Sequence, residues 1–356
     1  MTANGLGLTN GSHERDELLL AVEDLRVTFP SEDGDVLAVR GVSYSVHRNQ
    51  VFSIVGESGS GKSVSTMALM GLLPTTARIE GSAQYLGQEL IGQRDRDVRK
   101  FRGNRISMIF QDPMTSLNPV YTIGHQLGEI VRAHHRISPK EAKHRAIDAL
   151  QTVGIPQPEQ RVDNYPHEFS GGMRQRVMIA MAMMNSPDII IADEPTTALD
   201  VTVQAQILET LMSIKEELGA AIILITHDLG VVAGAADRVA VMYGGRFVEV
   251  GDCDQIFDSP RMPYTIGLLG AIPSLDGEVD QLTPIPGTPP SLVNQPPGCP
   301  FTPRCPYAVD VCSQTEPELT PTDQALHHSA CHRWDDLGDP APVGGGDERF
   351  AAGGAS

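Results

Sequence analysis

The stretch Gly56-Glu57-Ser58-Gly59-Ser60-Gly61-Lys62-Ser63 has the G-x-x-x-x-G-K-S spacing of a loop that cradles phosphate. Gly56, Gly59 and Gly61 permit backbone angles that turn successive N–H groups, those of Ser58 and Ser60 included, toward one anion. The helix that must follow adds a partial positive charge at the same point. Lys62 is placed to reach the β- and γ-phosphates as a point charge, and the Ser63 hydroxyl to bind the Mg²⁺ that bridges them. Alone, this loop indicates a nucleoside triphosphate and nothing finer.

Further on, Ile189-Ile190-Ile191-Ala192-Asp193-Glu194-Pro195 reads as a buried strand delivering two adjacent carboxylates at its end. Opposite a Mg²⁺–phosphate unit the two have separate tasks: Asp193 contacts the metal through its water shell, and Glu194 polarises the attacking water. A second apolar strand, Ile222 to Thr226, ends in His227-Asp228, which puts the His227 imidazole within reach of a γ-phosphate. Gln111 follows the apolar Met108-Ile109-Phe110 and precedes a proline-broken loop through Pro119; by itself it is a polar residue at a strand end. Ser170-Gly171-Gly172 opens the helix Met173–Met184 and forms a second helix start ready for an anion, while the methionines of that helix suit core packing.

Positioning these groups requires an α/β scaffold. Val51–Val55 reads as a buried strand before the loop, and residues 63–73 as a helix ended by Pro74. Upstream, Leu25–Phe29 and Val36–Val46 alternate apolar and polar residues about a turn, as an antiparallel sheet does. Phe29 is a candidate for stacking on adenine, with a core phenylalanine as the plain alternative. A short β region follows from Ala77, residues 94–100 form an exposed charged helix face, and residues 122–160 carry the periodicity of a helical insertion.

The 356 residues allow one large domain and a smaller second one, and the formal charge of −18 argues against a polyanion as the main partner. The apolar run 220–225 falls far short of the roughly 20 residues that span a bilayer, and the polar start lacks the layout of a signal peptide. These features lead us to expect a soluble intracellular chain with a loose leader over residues 1–17. Sixteen of the 26 prolines lie at or after Pro260, where the composition changes. Pro284–Pro290 reads as an extended arm, and residues 338–356 as a disordered tail.

Four of the five cysteines, Cys299, Cys305, Cys312 and Cys331, fall in this last part, with Cys253 alone before it. In a reducing compartment a metal centre explains them better than disulfides do: thiolates suit Zn²⁺ or an iron–sulfur cluster, and His327, His328 and His332 leave a mixed ligand set open. Such a metal would staple a tail with little apolar content of its own.

Taken together, Gly56–Ser63, Gln111, Ser170–Gln175, Ile189–Glu194, Ala198-Leu199-Asp200 and His227 resemble, in order and rough spacing, the motifs of an ATP-binding cassette (ABC) ATPase. The likeness is strongest to the ATPase subunits of bacterial oligopeptide and dipeptide importers. It implies a P-loop ABC ATPase fold, a RecA-like α/β core with antiparallel β and helical subdomains over residues 18–260. A small Cys/Pro-rich C-terminal domain would follow over residues 261–337. It also implies ATP and Mg²⁺ as ligands, with Ser63, Gln111 and Asp193 about the metal. Catalysis would fall to Glu194, His227 and Gln111, the last as the residue that couples to the membrane subunit. Ser170, Gly171 and Gly172 would bind the γ-phosphate of a nucleotide held by another ATPase chain, and Asp200 would be the aspartate of the loop between the two. In that family the tail sequence suggests a [4Fe–4S] cluster on Cys299, Cys305, Cys312 and Cys331, with Zn²⁺ as the alternative. Two departures stand out: the signature reads Phe-Ser-Gly-Gly-Met where the general family has Leu-Ser-Gly-Gly-Gln, and Phe29 replaces the more usual tyrosine. The implied partners are a second ATPase chain, a paralogue, and two transmembrane permease subunits. A substrate-binding protein would act indirectly, and the chain would lie peripherally on the cytoplasmic face of the cell membrane. The competing class is a soluble ABC ATPase acting on nucleic acid or the ribosome, against which the acidic balance weighs.

Overall fold

The computed structural model describes residues 17–197, 199–272, 285–293, 295–337 and 349–350. The expected leader up to residue 16, the tail beyond residue 337 except for 349–350, Pro284 and Ala198 lie outside the described residues.

Two sheets carry the chain. In the first, the long strands β1 (Leu18–Phe29) and β2 (Val36–His47) pair antiparallel, and β4 (Arg78–Tyr85) with the short β5 (Gln88–Glu89) extends the sheet in the order β2-β1-β4-β5. Their alternating burial gives one face to the core, as the sequence pattern requires.

The second sheet has the order β11-β12-β10-β9-β3-β8-β7-β6. Five of its strands run parallel, from one edge inward: β6 (Ile106–Ile109), β7 (Ile189–Asp193), β8 (Ala221–Thr226), β3 (Val51–Val55) and β9 (Arg238–Tyr243). Every residue of β3, β7 and β8 is buried, which explains why these stretches read as unbroken apolar runs rather than alternating ones. β10 (Arg246–Asp252) turns back antiparallel on β9.

The helix after the phosphate loop spans Lys62–Leu69 and stops before Pro74, at Gly71. Gly71 takes a φ of +59°, and the Leu72 N–H returns to the Met67 carbonyl at 3.0 Å. That is the closing turn which a left-handed glycine permits, so the glycine and not the proline sets the end. The expected insertion consists of helices Ile123–His134 and Pro139–Thr152, whose buried faces join Val177, Ile179 and Leu211 in one core cluster. The charged stretch 94–100 forms only a four-residue helix, Asp95–Val98, with Arg99 on Asp95 at 2.7 Å.

The C-terminal segment is sewn onto the big sheet. β12 (His328–Ser329) pairs with β10, and β11 (Thr320–Pro321) with β12. Tyr264, Phe301, Tyr307, Ala330 and Leu337 share a core with Val239, Val241 and Tyr243 of β9. Arg40 forks onto Glu316 at 2.9 and 2.6 Å, and Arg246 meets Glu318 at 2.9 Å. Residues 285–290 carry no regular secondary structure and bend at Gly287, and the Leu37 N–H donates to the Leu292 carbonyl beyond them. Among the described residues no helix is long and apolar enough to cross a membrane.

Candidate functional site

Four of the motifs read from the sequence emerge at one end of the big sheet, beyond the carboxyl ends of its parallel strands, where open α/β sheets bind ligands. Gly56 follows β3, Gln111 follows β6, Asp193 and Glu194 end β7, and His227 follows β8. The parallel register β6-β7-β8-β3 therefore does what no local sequence signal can: it brings residues 56, 111, 193 and 227 together.

The loop has the shape that an anion cradle needs. Gly56, Gly59 and Gly61 all have positive φ (152°, 79° and 105°), and side chains at Gly56 and Gly61 would run into the carbonyls of Met242 and Ala38. A Cβ on Gly59 would meet nothing within 4 Å, so that side of the loop is open. The Ser60 hydroxyl is buried with no partner among the described residues, which marks a polar atom aimed at something not supplied by the chain. Lys62 lies across the loop, its Nζ donating to the carbonyls of Gly56 at 2.7 Å and Glu57 at 2.9 Å. Burial lowers its pKa, and the charges of Glu194, Asp193 and Glu57 pull it back up.

Ser63 Oγ donates to Asp193 Oδ1 at 2.8 Å, so the serine hydroxyl and the aspartate expected about Mg²⁺ already face one another. Burial raises the Asp193 pKa, the Ser63 hydrogen bond opposes that, and the neighbouring Glu194 charge adds to it. A carboxylate held against its preference for water is one that a divalent cation would relieve. The hard oxygen donors of Ser63 and Asp193 fit Mg²⁺.

Glu194 is the hub. Its Oε2 accepts from Gln111 Nε2 at 2.9 Å and from Thr197 Oγ1 at 2.9 Å, and His227 Nδ1 lies 3.3 Å away. Its backbone sits at φ +47°, a left-handed conformation that a non-glycine residue adopts at a cost of about 1–3 kcal/mol and that concentrates at functional positions. The Glu194 N–H donating to the Ile225 carbonyl at 2.8 Å fixes that turn to β8. Sequence reading found Gln111 and His227 but missed Thr197, which follows the strand in a Thr-Thr pair with no periodic signal of its own.

Ser170, Gly171 and Asp200 are exposed, Gly172 is half-buried, and all lie on helix starts. Ser170 caps the helix Gly171–Met183 by accepting from the Met173 N–H at 3.3 Å, and Asp200 caps Val201–Leu218 through Val203 at 3.0 Å. A side chain on Gly171 would meet nothing within 4 Å, and Val201 beside Asp200 is 81% exposed. Among the described residues neither stretch bonds to Lys62, Ser63 or Glu194; they face outward. Phe29 ends β1 half-buried, packed on the core cluster that includes Phe52 and Ile54.

The cysteines depart from expectation. Cys299, Cys305, Cys312 and Cys331 do line one cavity, but it measures about 20 Å³, room for a single water, and is walled by Met262, Phe301 and Tyr307. All are free thiols, and among the described residues no group of three or more His, Cys, Asp or Glu could hold a metal ion. Burial pushes the thiols of Cys305 and Cys331 up to about 12 and raises that of Cys299. The [4Fe–4S] cluster and the Zn²⁺ alternative therefore do not fit, and the tail is held instead by its pairing with β10 and by the ion pairs of Glu316 and Glu318. His327 is likewise occupied, its Nε2 2.8 Å from Glu249 Oε1 with both side chains fully buried.

A parallel sheet with a glycine-lysine cradle, a metal-facing serine–aspartate pair and a glutamate hub beyond its strand ends defines a P-loop nucleotide hydrolase of the cassette type. Comparison with known proteins agrees: the ABC transporter family matches residues 39–197, and the oligopeptide/dipeptide transporter C-terminal region matches residues 248–312. The oligopeptide transport ATP-binding protein OppD of Escherichia coli is 52% identical over 312 residues, covering 87% of this chain and 93% of that protein. The dipeptide transport ATP-binding protein DppD of Bacillus subtilis is 53% identical over 306 residues, covering 85% and 91%. OppD of Mycobacterium tuberculosis is 52% identical over 319 residues, which are 88% of this chain but 52% of that longer relative. The chain thus spans about half the length of the mycobacterial relative. Among solved structures, a dimeric ATP-binding cassette in a post-hydrolysis state bound to ADP and Pi superposes with a TM-score of 0.60 at 26% identity, covering 66% of this chain and 99% of that one. The chain belongs to the ABC ATPase family of oligopeptide/dipeptide transport ATP-binding proteins.

Proposed function

We propose that this chain is the ATP-hydrolysing subunit of an importer of peptides. The observation that carries the reading is the Glu194 carboxylate, gathered by Gln111, Thr197 and His227 one residue beyond the aspartate that faces Ser63. Such a carboxylate can take the proton of a water attacking the γ-phosphate, with Gln111 and Thr197 orienting it and His227 close enough to steady the departing phosphoryl oxygens. Lys62 and the N–H groups of the loop would hold the β- and γ-phosphates, and Ser63 and Asp193 would hold Mg²⁺. That metal, when bound, neutralises charge that develops on the phosphate oxygens. Phe29 would lie at the edge of the nucleotide, toward the base.

The outward-facing Ser170–Gly172 and Asp200 support a site shared between two ATPase chains, each contributing its helix start to the nucleotide of the other. The second chain is a paralogue on this reading. Beside the Gln111 loop an open groove of about 410 Å³, lined among others by Met108, Phe110, Thr115, Met178 and Met181, offers an apolar seat for a permease segment. Phe110, Met114 and Val120 on the same loop are exposed. A pair of transmembrane permeases docked there would place the chain on the cytoplasmic face of the membrane. An external binding protein would then choose the peptide. The net charge of −18 weighs against nucleic acid as the main partner.

Reconstitution tests this. The chain copurified with its membrane subunits into proteoliposomes is expected to accumulate a labelled peptide only with ATP and Mg²⁺. ATP hydrolysis that neither drives peptide uptake nor responds to the membrane subunits would overturn the assignment.

A further inference from the structure

The first of the four residues that the phosphate-loop motif leaves free, Glu57, is held from three directions. Its N–H donates to Tyr264 Oη at 2.8 Å, and its carbonyl accepts from Lys62 Nζ at 2.9 Å. Its carboxylate takes a two-pronged grip from Arg304, with Nη1 on Oε2 at 2.7 Å and Nη2 on Oε1 at 2.8 Å. Arg304 comes from the cysteine-bearing segment, 247 residues away along the chain.

The guanidinium is buried, its side chain 4% exposed, and all its donors are used. Nε donates to the Pro286 carbonyl at 2.8 Å, Nη1 also to Tyr243 Oη at 3.2 Å, and Nη2 also to the Ile285 carbonyl at 3.5 Å. The rings of Tyr243 and Phe301 lie 5.9 Å from its centre, and Gly287, at φ +78°, lets the chain fold against its stem. A planar fork in such a socket fixes its partner in position and angle as a lysine cannot.

An acidic side chain next to the group that grips phosphate is a liability, because its charge repels the triphosphate. A buried cation bound to both its oxygens cancels that charge and pins the loop at one residue. The C-terminal segment is otherwise joined to the cassette by edge pairing, ion pairs and a shared apolar core with β9, and through Arg304 it reaches the phosphate loop itself.

We propose that Arg304 is a positioning residue for nucleotide binding: through Glu57 it fixes the phosphate loop and neutralises a carboxylate beside the triphosphate. The inference rests on Gly56–Ser63 being the ATP site, and the effect belongs to affinity rather than to the chemical step, since Arg304 touches neither Glu194 nor His227.

The test uses the full chain, with equilibrium ATP binding by displacement of a fluorescent ATP analogue and hydrolysis at saturating ATP. Arg304→Met is expected to weaken ATP binding about tenfold or more while the saturated rate stays within about twofold. Glu57→Gln, at a half-exposed side chain, is expected to weaken it about threefold, and Arg304→Lys to fall between, because the charge survives without the fork. The double variant Arg304→Met with Glu57→Gln should bind no worse than Arg304→Met alone, since its repelling carboxylate is gone. Should Arg304→Met not fold, Arg304→Lys and Glu57→Gln carry the same reading through weakened binding at an unchanged saturated rate. Folded variants that bind ATP like the parent, losses that multiply in the double variant, or a loss confined to the saturated rate would each overturn the proposal. A parent chain that binds no ATP would instead overturn the nucleotide assignment on which it rests.

Discussion

The carboxylate cluster at Glu194 gathers residues from distant stretches of the chain, the thiol cluster at Cys305 gathers cysteines from one C-terminal stretch, and the two are opposite environments. Around Glu194 the donors Gln111, Thr197 and His227 converge on one oxygen, and the buried Ser60 hydroxyl nearby in the phosphate loop has no partner among the described residues. Around Cys305 the groups are free thiols walled by Phe301 and Tyr307, with room for one water. The difference teaches that residue type and spacing nominate a site, while charge and open space decide whether it acts. Four cysteines close in sequence look like a ligand set, but half-buried beside aromatic rings they pack as apolar side chains. Two carboxylates at the end of a buried strand look costly, and the fold keeps them by surrounding them with donors.

Substitutions can break this contrast. Lys62→Ala removes the one cation within the loop and is expected to weaken ATP binding on the order of a hundredfold, measured by analogue displacement. Gln111→Ala and His227→Ala should lower hydrolysis at saturating ATP on the order of tenfold to a hundredfold with a smaller change in affinity, because each removes one partner of Glu194. An equal loss from Cys305→Ser would erase the distinction between the two clusters. That substitution is instead expected to cost about 1–2 kcal/mol of stability by burying a hydroxyl, seen as a lowered Tm, with the hydrolysis rate unchanged. The smallest disturbance is chemical. Thiols pushed up to about 12 stay protonated at pH 8, so Cys305 and Cys331 should react with iodoacetamide at least about a hundredfold more slowly than an exposed cysteine and speed up only as the pH climbs further. Fast labelling at pH 8, located by mass spectrometry, would show thiolates where we find packed thiols.

Much of this was legible in the sequence because its signals are local. The unbroken apolar runs of β3, β7 and β8 announce buried parallel strands, and Gly56, Asp193, Glu194 and His227 sit one or two positions beyond such a run, where a strand end must deliver them. The glycines at 56, 59 and 61 declare their backbone angles by being glycines. What escaped notice has no local mark. The helix that ends at Gly71 competes with a proline three residues on, and only the hydrogen bond from Leu72 back to Met67 decides between them. Arg304 lies beside a cysteine that drew attention to itself, and its pairing with Glu57 exists only once the tail is folded on β9. The metal reading failed for the same reason: ligand distance is a property of packing, and spacing alone does not supply it.

Glu194→Gln tests the centre of the account most directly. With ATP and Mg²⁺ supplied to the chain and its partner ATPase, the variant should bind ATP at least as tightly as the parent and hold it uncleaved, with hydrolysis reduced on the order of a hundredfold or more. Undiminished turnover of ATP by that variant would contradict a catalytic role for Glu194 and for the cluster built around it.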